Sequence, residues 1–326
     1  MNLARPTLAL TLFAILLSPV HGQRKTPPLT QAVPLPYEQI EFQRDGEALT
    51  RYHYSATLKR PFLYPLLGPS RRSLTRMGHP HDPESHSHHN SVWISHNDVN
   101  GVVFWGDKGK GRIVQQKIEK LTDTDAEASL TVLNAWIDQG NQKTLMLERR
   151  KVTVQPLDKG EWLLLLDLQL ETNAKGNEVT FGKTPFGLIG VRMAKSIGVN
   201  DGGGTIRNSD GKVNEKEVLW KPAKWVDYSG AIRRVAQENV IEGITLMDHP
   251  SNPNHPTVFH VRNDGWMGAS LTFAGPRKLE AGKPLRLRYG LYVHAGQPSM
   301  AELEARWAAF AKTPVVDLSA AKKKAK

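Results

Sequence analysis

The sequence predicts an all-β protein, a large antiparallel two-sheet β-sandwich closed by one C-terminal helix. Three observations carry that expectation. About fifteen runs show the apolar–polar alternation of half-buried strands. Glycine, proline and Asp-Gly turn signals separate these runs, and helical periodicity emerges clearly only over residues 299–311. No composition break divides the chain, so one large sandwich buries its apolar faces more simply than two small ones.

Taken in order, residues 1–22 read as a secretory signal peptide. A basic head ends at Arg5, an apolar run spans Leu8 to Leu17, and Gly22 supplies a small residue at the cleavage point. The apolar run is too short for about 30 Å of hydrocarbon. The expected location is therefore periplasmic or secreted, and the protein is not expected to be membrane-embedded. Residues 23–36 carry four prolines and read as a linker. The sandwich is expected over 37–313, opening with a hairpin around Asp45-Gly46. A buried strand follows at Pro61–Leu67. Farther on, Leu145–Val154 and Trp162–Leu170 should pair through Asp158-Lys159-Gly160. Gly202-Gly203-Gly204 lacks the preceding strand and following helix of a phosphate loop and reads as plain loop. Later strands begin near Trp220, Ile241, Thr257, Gly268 and Leu285. In the helix, Ser299 and Glu302 form a capping box, and Met300, Leu303, Trp307 and Phe310 share one face. Residues 314–326 read as a disordered basic tail.

The chain has no cysteine, which excludes disulfides, thiolate metal sites and a cysteine nucleophile. Its net charge of +11 does not indicate nucleic acid. Arg5 leaves with the signal, and Lys322, Lys323, Lys324 and Lys326 sit in the tail. The other cations are spread among acids instead of alternating with aromatics in one patch.

Chemistry concentrates in Gly78–Gly106. This stretch holds His79, His81, His86, His88, His89 and His96, then Asp98, Asn100, Phe104 and Trp105. Imidazoles serve proton transfer, metal ligation and hydrogen bonding near neutral pH. A second dense segment, Asp248–Arg262, is stiffened by three prolines and offers Asp248, His249, Asn252, His260 and Arg262. Arg192, set among apolar residues, calls for a carboxylate or a bound anion. Asp227 and Tyr228 lie between aromatic and small residues. Most tryptophans are read as core. His86 and His88, at i and i+2, would share a strand face, with His249, His255 or His260 as a third ligand. No H-E-x-x-H pattern supports a metal, so no cofactor is assigned and metal remains the minor alternative.

Five segments resemble the PmoA-like family, a domain of unknown function carried by exported proteins: PFLYPLLGP, HSHHNSVWISHNDVNGVVFWG, FGLIGVRM, WVDYSG and DHPSNPNHPTVFHVR, in order from Pro61 to Arg262. Asp82-Pro83-Glu84-Ser85 lengthens the loop before His88 relative to that family. Through it the chain is similar to galactose-mutarotase-like supersandwich proteins, which bind or transform sugars. The resemblance implies a cleft on one sheet that takes a sugar or glycan. The expected catalytic residues are His88, His89, His96, Asp227 and Asp248. His88 or His96 would act as general acid and Asp227 or Asp248 as base. The expected substrate-binding residues are Asp98, Asn100, Trp105, Arg192, Tyr228, His249, Asn252, His260 and Arg262, with Arg192 or Arg262 orienting the substrate. No carboxylate beyond Arg262 is assigned to a base. The reaction would be epimerisation, hydrolysis or elimination. The alternatives are a non-catalytic glycan-binding module and a metal-dependent oxidoreductase. Oligomeric state is not legible in the sequence.

Overall fold

The computed structural model describes residues 26–78, 86–173, 178–232 and 238–319. The expected signal segment, His79, His81 and the terminal lysines lie outside these residues. Among the described residues the strands in chain order are β1 (Thr30–Leu35), β2 (Gln39–Arg44), β3 (Glu47–His53), β4 (Phe62–Leu66), β5 (Val92–Ile94), β6 (Gly111–Asp123), β7 (Ala128–Asp138) and β8 (Lys143–Pro156). They continue as β9 (Trp162–Thr172), β10 (Val179–Phe181), β11 (Leu188–Arg192), β12 (Thr205–Asn208), β13 (Lys221–Pro222), β14 (Trp225–Ile232), β15 (Val240–Asp248), β16 (Val258–Arg262), β17 (Trp266–Ser270), β18 (Arg277–Leu279) and β19 (Leu285–Ala295). Three α-helices accompany them: α1 (Val199–Gly202), α2 (Asn214–Val218) and α3 (Met300–Ala311).

Two large antiparallel sheets form the sandwich. One has nine strands in the order β1-β2-β3-β4-β5-β11-β17-β16-β13, and the other has eight, β12-β14-β15-β19-β9-β8-β7-β6. Strands β10 and β18 make a small separate ribbon. Phe42, Tyr52, Ile94, Val191 and Phe259 of the first sheet meet Leu130, Trp136, Val152, Leu166 and Leu291 of the second in one continuous core. The all-β two-sheet expectation holds.

Local chemistry explains the register. Asp45 and Gly46 both adopt positive φ, 51° and 79°, the turn that matches the twist of the β2–β3 hairpin. Lys159 and Gly160 do the same between β8 and β9, which pair as Val152↔Leu166. Ser299 and Glu302 cap α3 reciprocally, as the sequence indicated. Leu303 and Phe310 bury the helix against Leu165, Trp225, Met247 and Tyr292. Trp225 and Met247 alternate with core-facing neighbours, so α3 covers the outer face of the eight-stranded sheet.

Three boundaries differ from the sequence reading. The expected linker contains β1, which pairs with β2 along its whole length. It is an edge strand, where Pro34 costs little; Asp123 accepts from its Ala32 amide, and Asp125 from the amide of Leu29 just before it. The expected tail starts late: Leu318 is buried, and its amide donates to Gln169 on β9. The strand expected from Trp220 breaks after Pro222 and resumes at Trp225. Among the described residues, no helix is long and apolar enough to cross a membrane.

Candidate functional site

The site grows from the outer face of the nine-stranded sheet. Because side chains alternate along a strand, residues flanked by core neighbours must point outward. Trp93 lies between Val92 and Ile94, His260 between Phe259 and Val261, and Trp266 beside Met267. Cross-strand register lines them up. One row runs Trp93 (β5), Gly190 (β11), Gly268 (β17), His260 (β16). The next runs Arg192, Trp266, Arg262. The paired glycines form a trough. A Cβ on Gly190 would stand 2.7 Å from Trp266 Cη2 and 2.8 Å from Trp93 Cζ2, so only glycine lets the indoles lie flat on the strands.

Two loops wall this trough, and a buried arginine fastens both. Arg60 donates to the His88 carbonyl at 3.0 Å and Asn90 Oδ1 at 2.6 Å on one loop, and to the Phe104 and Trp105 carbonyls at 2.8 and 2.5 Å on the other. Burial lowers its guanidinium to about 10, which still leaves it charged. The imidazole of His89 stacks 4.6 Å from His86 and 5.0 Å from Trp266. The result is a cleft of about 610 Å³. Its lining includes His86, His88, His89, Trp105, His260, Arg262, Asp264 and Trp266, together with Asn97, Pro185, Phe186 and Trp220.

The electrostatics follow from burial. Desolvation lowers His88 to about 4, against the opposing charge of Asp107. It lowers His260 to about 4 as well, assisted by Arg262. Burial and then His88 push His89 down still further. All three imidazoles are therefore neutral near pH 7, each with one N–H and one bare nitrogen. Buried His89 Nδ1, His260 Nδ1 and Trp266 Nε1 have no hydrogen-bond partner among the described residues. Among the described residues, the carboxylate that lines the cleft is Asp264. Fully buried Arg192 donates to its Oδ1 at 2.8 Å, and His86 Nδ1 sits 3.8 Å from its Oδ2. Arg262, about half exposed, pairs with Glu215 at 3.0 Å.

The expected residues thus divide. His88, His89, Trp105, His260 and Arg262 line the cleft, and Arg192 stands directly behind Asp264. Tyr228 reaches the same turn from the core side, its hydroxyl 3.2 Å from the Arg262 carbonyl and 3.1 Å from that of Asn263. The others lie elsewhere. His96 is fully buried, with Nδ1 2.8 Å from the Asp98 carbonyl and Nε2 2.9 Å from Thr272 Oγ1. Asp98 and Asn100 pin a turn, accepting from the Gly101 and Thr180 amides at 2.8 and 2.7 Å.

Asp248 accepts from Asn252 and His255, each at 2.7 Å, and His249 bonds Ser251 and the Thr313 carbonyl. Asn252 also fastens the Arg288 amide at 2.8 Å. These residues anchor a rigid loop to β19 and the end of α3. Asp227 lies on the outer face of the eight-stranded sheet, across the sandwich from the cleft. There it accepts from His294, Arg207, Ser229 and Thr245 at 2.8, 2.9, 2.7 and 3.0 Å. Burial opposes its ionisation, but His294 and Arg207 hold the carboxyl below the usual range.

Sequence reasoning grouped Trp220 and Trp266 with the mostly core tryptophans, of which one or two could stack on a sugar, and missed Asp264, Phe186, Asn97 and Arg60. Asp264-Gly265 was visible as a hairpin turn between two strands, and Gly265 takes φ 97° there. Among the described residues, no group of three or more His, Asp or Glu is arranged to hold a metal ion. His249 and His255, expected as possible third ligands, lie in the anchored loop.

No curated protein matches the chain. Among solved structures, a GalM/aldose epimerase homologue from C. elegans is similar over 82% of this chain and 99% of its own, at 9% identity and a TM-score of 0.34. The model of a family of unknown function, DUF6807, matches residues 39–308, most of the sandwich and most of α3, and the chain belongs to that family.

Proposed function

We propose that the cleft binds a sugar ring and transforms it by acid/base chemistry, as an epimerase, hydrolase or lyase would. One observation carries this reading. The same 610 Å³ space joins aromatic faces (Trp105, Phe186, Trp266) to neutral imidazoles and one buttressed carboxylate. Pyranose rings present apolar faces and a rim of hydroxyls, which such a mixture satisfies. Asp264 replaces Asp227 and Asp248 as the base, since it alone of the three meets the cleft. His88, unprotonated near neutral pH, accepts or donates hydrogen bonds to hydroxyls and is not poised as a strong acid. Arg192 orients Asp264, and Arg262 meets the ligand at the rim. The N-terminal segment supports export to the periplasm or beyond, and the five quoted motifs support placement with PmoA-like proteins.

The neutral imidazoles also suit a binding module without turnover. A panel of mono- and oligosaccharides, followed by calorimetry and by product analysis, separates the two. Binding retained and turnover lost in Asp264→Asn supports catalysis, whereas binding without turnover in the wild type supports the module. If no sugar binds, the proposal fails.

A further inference from the structure

The geometry points to a second sugar subsite on Trp220 and Phe273, so that the ligand is an oligosaccharide and not a free monosaccharide. This rests on the sugar reading of the main cleft. A hollow of about 350 Å³, lined by Lys183, Thr184, Pro185, Trp220 and Phe273, adjoins that cleft. Trp220 and Pro185 line both spaces. The two hollows are therefore one track with an indole at its waist.

Rings pave that track from floor to rim. Trp266 and His260 stand 6.0 Å apart, His260 and Trp220 6.2 Å, and Trp220 and Phe273 6.2 Å. Trp220 is 49% exposed, although most large aromatics of this protein are buried. Its backbone also takes φ 59°, a conformation bulky residues avoid. The Trp220 amide bonds the Phe259 carbonyl at 2.9 Å, which holds it there. A strained backbone that presents an exposed indole between two hollows is a feature of ligand clamps. Exposed Lys183, which has no ion pair among the described residues, supplies hydrogen bonds to hydroxyls beside the aromatic faces.

A chain of rings matches this layout. The first ring occupies the trough over Trp266, and the next stacks on Trp220 and Phe273.

The test measures affinity by calorimetry for three ladders: glucose to cellotriose, galactose to β-1,4-galactotriose, and xylose to xylotriose. The full-length mature protein is compared with Phe273→Ala, Trp220→Ala and Trp220→Phe. In at least one ladder, affinity should rise about tenfold from one ring to two, the gain that ~1.4 kcal/mol of stacking gives. Phe273→Ala and Trp220→Ala should bring the two-ring to one-ring ratio close to unity, and Trp220→Phe should restore it. That ratio cancels a general loss of folded protein. Equal affinity for one, two and three rings in every binding ladder overturns the second subsite and leaves the sugar reading standing. An unaltered ratio in Phe273→Ala overturns it too. No binding in any ladder overturns both.

Discussion

Lowering the pH should unfold this protein through its buried histidines, and His96 allows the size of the effect to be worked out. Its ring is fully buried, and both nitrogens are engaged within the protein. Burial lowers its pKa from 6.5 to about 4. Between those values the unfolded chain binds a proton that the folded chain refuses, so stability falls as pH falls. The contribution is fully present above about pH 6.5 and is lost as pH drops through 4. At pH 5 the loss is roughly 2 kcal/mol relative to pH 7, from 1.36 kcal/mol per pKa unit. Urea denaturation at pH 7, 6 and 5 checks this on the wild type and His96→Gln. The variant starts less stable, having lost the Thr272 contact, but its stability should fall about 2 kcal/mol less across the range. Parallel pH slopes for the two proteins would refute the reasoning, because the proton uptake would then lie elsewhere.

Three other perturbations probe the site and its frame. Asp264→Asn should cost about 2 kcal/mol in urea denaturation, the worth of a charged hydrogen bond to buried Arg192. Combined with Arg192→Met it should cost less than the sum of the single changes. Asp227→Asn should destabilise by about 3 kcal/mol, because Arg207 and His294 lose their shared anion. Ligand affinity in that variant should be unchanged, and a calorimetric loss of affinity with stability intact would return Asp227 to the cleft. Gly268→Ala would place a methyl 2.7 Å from the Ile189 carbonyl and 2.8 Å from Trp266. It should cost about 1–3 kcal/mol in thermal denaturation and weaken sugar binding as the indole shifts.

Much of the fold was legible because its signals are local. Asp45-Gly46 announces a hairpin through φ alone, and Ser299 with Glu302 announces a helix start through two reciprocal bonds. The misjudged ends depended on distant partners. Nothing in Thr30–Leu35 says strand until Phe42 and Glu41 pair with it and Asp123 bonds its Ala32 amide. Leu318, likewise, has its amide bonded to Gln169, far back in the chain.

The site was half legible for a reason that strand geometry makes plain. Asp227 and His260 look alike in sequence, each a polar residue between two apolar ones, and alternation correctly turns both away from the core. Alternation does not tell which sheet a strand joins. Strand β14 enters the eight-stranded sheet and β16 the nine-stranded one, so the two residues point out of opposite faces. Asp227 ends in a closed network with His294, whereas His260 ends in the cleft. Asp264 escaped for the complementary reason. Turn residues carry no facing rule, and only the hairpin that brings it beside Arg192 makes it a site residue. The histidine stretch behaves in the same way: His88 and His89 reach the cleft because Arg60 ties their loop to Trp105, while His96 follows β5 into the interior. Residue type therefore marked the right segments, and sheet membership decided which members of each could meet a ligand.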